Sequence, residues 1–251
     1  MTEDRELLKK RFIELARRSD GGYFTFTDFL GLSEQSAFAE VRGQLRGVKY
    51  VEFGGCEGAE RVMIRFGDEE ELGFSVPFPI ACVKIMPRSE KFAEKLGHRD
   101  FLGALMNLGI ERDRLGDIVL RDGGALLFAA EELAPFIKDS LTSVRNTDVV
   151  CSITAELPEG PLYRTEARRI QLSSERLDAV IAKTFCLSRD DAQALFRRGL
   201  VFVGGRLCES VSHAPHSGDV ISVRGFGRII YRGVDGLTRK GKLNVTVEIY
   251  V

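Results

Sequence analysis

The pattern of apolar residues predicts a mixed α+β fold, and three observations carry it. Helical spacing of 3.6 residues opens the chain, strand alternation with a period of two recurs after it, and turn signals such as RDGG separate strands at hairpin distance. At 251 residues, 44% apolar and 29% charged, the chain can form about two domains of roughly 150 residues, and global disorder is excluded. The opening MTEDRELLKK has no apolar signal region. The longest uncharged apolar stretch, Gly123 to Ala130, is far shorter than the roughly 18 residues a membrane-spanning helix needs. No membrane attachment and a cytoplasmic location are expected.

Leu7, Leu8, Phe12, Ile13, Leu15 and Ala16 read as the apolar side of a first helix, and Ser33 is placed to cap a second one running toward Val41. VKYVEFG and RVMIRFG alternate apolar with polar residues and flank GCEGAE, which reads as a hairpin with a glycine-containing loop. Residues 1–72 are thus expected to form a small N-terminal α+β domain. The acidic run Asp68 to Glu71, with Pro77 and Pro79 after it, marks its boundary.

Residues 73–160 read β-α-β-β-α-β. IACVKIM is a strand ended by Pro87, Ser89 caps a helical region reaching Leu108, GDIVL and ALLFAA are paired by RDGG, EELAPFIKDSLTSV is a helix, and DVVCSITAEL is the last strand. That order is the ferredoxin-like motif, which many RNA-recognition modules share. Such modules stack bases on aromatic residues of two central strands. Here ALLFAA offers only Phe128 and IACVKIM none, which argues against stacking on this sheet.

LPEGP, Leu157 to Pro161, reads as a linker into a third domain, residues 161–251. Ser174 precedes ERLDAVIAKTF, Ser188 precedes RDDAQALFRRG, and Gly199 stops the second helix. Strand patterns follow at LVFVGGRL, GDVISVRG, GRIIYRG and KLNVTVEIYV, the last two forming a terminal hairpin. Charge is divided unevenly. Residues 1–160 hold 21 basic and 28 acidic side chains, whereas 161–251 hold 15 and 9, a net +6 that suits a module meeting a polyanion.

In the helix after Ser188, Ala192, Leu195 and Phe196 fall on one face, and Arg189, Gln193 and Arg197 lie four apart on another. Leu177, Val180 and Ile181 point inward from the preceding helix, while Arg176 and Lys183 share a face. Arg198, Arg206, Arg224 and Arg228 add cations nearby. Guanidinium groups bind two phosphate oxygens at once in a plane, so this stripe suits a nucleic-acid backbone. A solvated charged surface is the plainer reading of the same spacing.

Other constellations are weaker. The five cysteines show no C-x-x-C pair, and IACVKI, VVCSIT and KTFCLS place most of them in apolar runs, as expected of free packed thiols. Cys208, His213 and His216 offer too few ligands for a metal site, and neither metal nor cofactor is expected. His98-Arg99-Asp100 matches the kinase H-R-D, but no phosphate loop, V-A-I-K or D-F-G accompanies it. His98, Arg99, Arg112 and Arg114 read either as a second polar surface for RNA or as an internal contact at a helix end.

Arg176 to Gly227, RLDAVIAKTFCLSRDDAQALFRRGLVFVGGRLCESVSHAPHSGDVISVRGFG, resembles the ribosomal protein S-four type RNA-binding domain, whose helix-turn-helix on a β-sheet is the alpha-L motif. The shared marks are R-L-D, L-S-R, a G-x-V-x-V turn, and G-D-x-I before a basic strand. By that resemblance the RNA-facing residues are Arg176, Ser188, Arg189, Gln193, Arg197, Arg206 and Arg224. The chain departs from the pattern at Gly204-Gly205, where the family commonly has Asn-Gly, and at Asp190 and Asp191 beside Arg189.

GHRDFLGALMNLGIERDRLGDIVL, Gly97 to Leu120, together with RGFGRIIY, is similar to the bacterial YlmH family. That family joins an N-terminal unit, an RNA-recognition-like middle domain and a C-terminal S-four domain. The resemblance implies a non-enzymatic factor that binds large ribosomal subunits through ribosomal RNA and transfer RNA, alongside quality-control factors, and that supports alanine tailing of stalled chains. Two alternatives stand beside it. S-four domains are often fused to pseudouridine synthases, whose catalytic aspartate lies in R-L-D, as Asp178 does here, although AVIA follows it instead of the T-S-G-like turn of those enzymes. The acidic N-terminal part could instead serve as a protein adaptor.

Overall fold

The computed structural model describes residues 2–45, 47–89, 94–155 and 163–250, and the chain divides into two compact units, residues 1–162 and 163–251. The fold is α+β, built on antiparallel sheets. No helix among the described residues is long and apolar enough to cross a membrane.

The first unit opens with α1 (Thr2–Ser19), which buries Phe12, Leu15 and Ala16, while Leu7 lies outside the core at 60% exposure. Its partners are β1 (Thr25–Phe26), α2 (Leu32–Val41), β2 (Tyr50–Phe53) and β3 (Met63–Phe66), a three-stranded sheet in the order β1-β3-β2. Gly31, not Ser33, stands at the N-cap of α2, with the chain extended there. Phe12, Phe38, Ile64 and Phe66 centre this core, with Phe12 and Phe38 edge to face at 5.3 Å. The acidic run forms the short α3 (Glu69–Leu72), where the Asp68 carboxylate accepts from the Glu70 N–H at 3.0 Å.

The sheet that follows contains β4 (Ile80–Pro87), β5 (Leu115–Arg121), β6 (Gly124–Ala130), β7 (Ser143–Val144) and β8 (Thr147–Thr154) in the order β5-β6-β4-β8-β7. Two helices, α4 (His98–Asn107) and α5 (Ala134–Ser140), bury Phe101, Leu105 and Ile137 against Val83, Ile85, Leu127 and Val149 on one face. RDGG closes β5 on β6 because Asp122 and Gly123 both take positive φ, 51° and 75°, as a tight two-residue hairpin turn requires.

Two helices differ from their sequence reading. The region expected from Ser89 to Leu108 is helical only from His98. Gly97 is its N-cap, and the Gly97 N–H donates to Asp100 Oδ2 at 2.8 Å; residues 90–93 lie outside the described residues. EELAPFIKDSLTSV stops being helical at Ser140, since Ser143 and Val144 turn back to pair with Asp148 and Thr147. The expected linker, residues 157–161, also lies outside the described residues.

The second unit is a six-stranded sheet in the order β11-β10-β12-β13-β14-β9, carrying two helices. Its strands are β9 (Thr165–Leu172), β10 (Val201–Val203), β11 (Arg206–Leu207), β12 (Val220–Val223), β13 (Gly227–Leu237) and β14 (Leu243–Tyr250). The helices α6 (Leu177–Thr184) and α7 (Arg189–Arg197) bury Leu177, Val180, Ile181, Ala192, Leu195 and Phe196 against Val201, Ile229, Tyr231 and Val245. Cys186 turns the chain between them at φ 56°, and Gly199 leaves α7 at φ 65°. Position 186 is exposed, contrary to its place in an apolar run, because the left-handed turn lifts it off the core. Gly204 and Gly205, with φ of 54° and 74°, make the β10–β11 turn that Asn-Gly makes elsewhere.

Candidate nucleic-acid interface

The cationic stripe is organised around one carboxylate. Asp178, in the first turn of α6, is completely buried, and the Arg176 guanidinium donates to both of its oxygens at 3.2 Å. From α7, Arg189 Nη2 donates to Asp178 Oδ2 at 2.9 Å and Gln193 Nε2 to the same oxygen at 3.0 Å. Burial pushes this carboxyl up. Hydrogen bonds from Arg176 and Gln193 and the charges of Arg189 and Arg176 more than offset that, so it stays ionised below the ordinary range.

Two guanidinium groups therefore share one negative charge and leave a surplus of one. Both arginines stay partly open, with side-chain exposures of 39% and 44%. Ser188 caps α7: its hydroxyl accepts from the Asp191 N–H at 3.0 Å and donates to the Asp191 carboxylate at 2.6 Å. Asp191 is thus tied to the cap, where the helix dipole favours it. Lys183, Arg197 and Arg198 are exposed, and no carboxylate among the described residues lies within 4 Å of them. Lys183 and Arg189, with Lys242, line a cavity of about 510 Å³ beside α6.

On the strands and the β12–β13 turn, Arg206 is exposed, the Arg224 guanidinium lies over the Phe202 ring at 4.5 Å, and that of Arg228 over Tyr250 at 5.3 Å. All ten predicted positions thus fall in the second unit, and Asp178 is the organiser that side-chain spacing alone did not single out. The R-L-D of a synthase would need its aspartate open to substrate. Here that carboxylate is enclosed by its own helix pair. Among the described residues no three His, Cys, Asp or Glu side chains gather to hold a metal.

The four residues of the second predicted surface do not act together. His98 and Arg99 are exposed at the start of α4, and Arg99 lines a cavity of about 480 Å³ with Arg145. Arg112 and Arg114 follow the other end of the helix, in a short 3-10 turn. There Arg112 donates to the Leu115 and Gly116 carbonyls at 2.7 and 3.2 Å, and Arg114 pairs with Asp28 at 2.8 Å and with Glu132. Backbone carbonyls take the Arg112 guanidinium and the exposed carboxylates of Asp28 and Glu132 take that of Arg114, so both make contacts within this unit.

The sheet face opposite α4 and α5 is also closed at its one aromatic residue. Phe128 is fully buried, and the backbone of Gly55, from the β2–β3 loop, lies so close that a Cβ there would run into the ring. Arg61 anchors that loop through its side chain, donating to the Leu115, Phe29 and Arg112 carbonyls at 2.8, 2.9 and 3.1 Å. Asp117 accepts from the Glu60 N–H at 2.6 Å. Burial, with the Asp117 and Cys82 charges, pushes the Cys56 thiol in the same loop up to about 12.

Among known proteins, the chain is 34% identical over 223 residues to ribosome-associated protein quality control protein P2 of Bacillus subtilis (strain 168), a match covering 88% of this chain and 86% of that protein. The chain belongs to the YlmH family. Residues 76–156 match a family profile described as "Putative RNA-binding domain in YlmH", which spans the β4–β8 sheet. The solved structure of the cell division protein YlmH from Streptococcus pneumoniae aligns with 61% of this chain and 92% of its own, at 23% identity and a TM-score of 0.47. Within this YlmH-family chain, the profile falls on the sheet whose Phe128 is covered, and the surplus of cations lies outside it.

Proposed function

We propose that this protein is a non-enzymatic, ribosome-associated RNA-binding factor whose second unit is an S-four type domain of the alpha-L kind. The observation that carries this reading is the α6–α7 pair, where one buried carboxylate aligns Arg176, Arg189 and Gln193 and leaves net positive charge beside Lys183, Arg197 and Arg198. Phosphate oxygens of folded RNA suit such a surface, since A-form grooves present backbone and 2′-hydroxyls more readily than base identity. Arg206, Arg224 and Arg228 extend it along the strands, and Ser188 sets the orientation of α7.

The Bacillus relative bears the name of ribosome-associated quality control, which supports a ribosomal particle as the partner, and we take that particle to be the large subunit, held through ribosomal RNA and transfer RNA. In that setting the protein would sit on subunits that retain peptidyl-tRNA and support alanine tailing together with other quality-control factors. Residues 1–72, 73–160 and 161–251 would then act as three modules, with residues 161–251 supplying the main grip on RNA.

The test is co-sedimentation with purified large subunits. Arg197→Glu combined with Arg198→Glu removes exposed cations without touching the Asp178 network. The pair is expected to abolish sedimentation at moderate salt, with an unchanged circular dichroism spectrum. Every phosphate released by the substitutions should lower the slope of log affinity against log salt by about 1. Unchanged sedimentation would remove this face as the RNA-binding surface.

A further inference from the structure

We propose that the cavity between α6 and the β13–β14 turn is a phosphate seat for the RNA backbone, with Lys242 a further RNA-binding residue. The inference rests on the RNA-binding reading above and adds a site to it. Lys242 lies beyond residues 176–227, the segment that resembles the S-four domain, so that resemblance assigns it no role.

The sheet positions this lysine. β14 pairs with β9 through Leu243 and Leu172, which sets Lys242 beside the end of β9, where Ser173 begins the passage to α6. The turn is closed on itself. The Thr238 N–H donates to the Lys242 carbonyl at 2.7 Å, the Lys242 N–H to Thr238 Oγ1 at 2.9 Å, and the Gly241 N–H to the Thr238 carbonyl at 2.9 Å. The Lys242 backbone is therefore held while its side chain is exposed.

Lys183 from α6 and Arg189 from the first turn of α7 border the same cavity of about 510 Å³, so three elements each bring it one cation. No carboxylate lines it, and among the described residues neither Lys183 nor Lys242 has an ion-pair partner. Arg189 is oriented by its bond to Asp178 Oδ2 at 2.9 Å and stays 44% exposed. Ala179, Ala182 and Leu187 give the cavity uncharged walls. Like charges gathered around one space repel one another, and an anion placed among them removes that cost.

The lining holds no aromatic ring on which a base could stack. The chemistry it offers is a grip on phosphate oxygens, which ammonium and guanidinium groups hold without reading sequence. Continuity with the cationic stripe names the source of the phosphate. Arg189 borders the cavity and also opens the face of α7 that carries Gln193 and Arg197, and eight residues of helix place Arg197 about 12 Å further on. A free anion fills the cavity but does not span that distance. Phosphates along one RNA strand meet both places.

The test uses the full chain and purified large ribosomal subunits, with co-sedimentation measured at several salt concentrations. Lys242→Ala is expected to weaken binding about fivefold at about 0.15 M salt and to lower the slope of log affinity against log salt by about 1. Lys242→Arg should keep both values. Lys240→Ala, two residues earlier in the turn and outside the cavity lining, should keep them too. Cys186 is a local reporter, because its exposed thiol lines the same cavity. Bound subunits should block its alkylation by iodoacetamide, read by mass spectrometry.

Unchanged affinity and slope in Lys242→Ala, an equal loss in Lys240→Ala, or a Cys186 that stays reactive in the bound complex would each overturn the seat. If Arg197→Glu with Arg198→Glu abolishes sedimentation while Lys242→Ala does nothing, the RNA-binding face stands and the seat fails. If Lys242→Ala weakens binding and Cys186 is shielded while the Arg197 and Arg198 pair has no effect, the seat stands and that face fails. A wild type that does not sediment removes both. Shielding of Cys186 by millimolar inorganic phosphate, with subunit affinity untouched by Lys242→Ala, would give the cavity to a free anion. Shielding that survives nuclease digestion of the subunits would give it to a protein carboxylate, and either result also overturns the proposal.

Discussion

In the first compact unit Arg61, Arg65 and Arg112 donate to backbone carbonyls and Arg114 pairs with the surface carboxylates of Asp28 and Glu132, whereas in the second Arg176 and Arg189 divide one carboxylate. Lys183, Arg197 and Arg198 meet no carboxylate within 4 Å among the described residues. The difference teaches that a cluster of cations in a sequence says little until its acceptors are counted. Two guanidinium groups facing two carboxylates and several carbonyls are joinery, while two facing a single carboxylate retain an outward charge.

The most severe way to break the contrast is at the joint of the first unit. Gly55→Val places a branched side chain at φ 100° against the Phe128 ring. Backbone strain and overpacking together should destabilise that unit by about 2–5 kcal/mol. Hydrogen exchange is the measurement: β6 amides should lose protection while α6 and α7 keep theirs, and slow exchange in β6 would show that the loop does not seal the sheet.

Next in size is Asp178→Ala, which leaves Arg176, Arg189 and Gln193 without their common acceptor. Because both arginines reach water, the loss in urea unfolding should stay near about 1–3 kcal/mol, below that of a fully enclosed pair. RNA affinity should fall as well, since the guanidinium groups lose their alignment.

Acid sharpens the same point. Asp178 is held below the ordinary carboxylate range, near 3.9 when unfolded, so its contribution to stability is complete above that value. The contribution is lost as pH falls through the lower folded value, because the unfolded chain then binds the proton first. Asp178→Asn should remove this one-proton component, at most about 1.4 kcal/mol per pH unit, from melts followed between pH 2 and pH 6. An unchanged acid limb would mean that the carboxylate is not charged in the folded state.

The gentlest probe compares cysteines. Burial pushes Cys82 and Cys151 up to about 11, and Cys56 further, while Cys186 is exposed in the α6–α7 turn. Iodoacetamide at pH 8 should label Cys186 first and leave those three intact until denaturant is added. Mass spectrometry of the peptides reads the order.

Much of this was legible in the residues. RDGG set its hairpin, Ala192, Leu195 and Phe196 set the buried face of α7, and the cations of the stripe fell on the other side of it. The end of α5 was harder to read, because Ser143 and Val144 follow the helix with no glycine to stop it and pair only through the turn at Arg145. β9 went unread, since only Ile170 and Leu172 of its eight residues are buried and the alternation is too short to stand out. An internal contact was one of the two readings of Arg112 and Arg114, but the partner of Arg114 could not be named, because Asp28 lies 86 residues from the arginine it pairs with. Asp178 was visible as a first-turn acid beside Arg176. Its links to Arg189 and Gln193 required the two helices to be brought together.

The strand that periodicity overlooked has a bearing on solubility. β9 is an edge strand of the six-stranded sheet, eight residues long, and among the described residues it pairs on one side alone, so its other side is a template on which another chain could add itself. Glu166, Arg168 and Arg169 interrupt that template with opposite charges, and Arg168 also reaches the Thr184 carbonyl at 3.1 Å. The residues that hid β9 from a search for apolar alternation are therefore suited to keep copies of the protein from zipping together at high concentration.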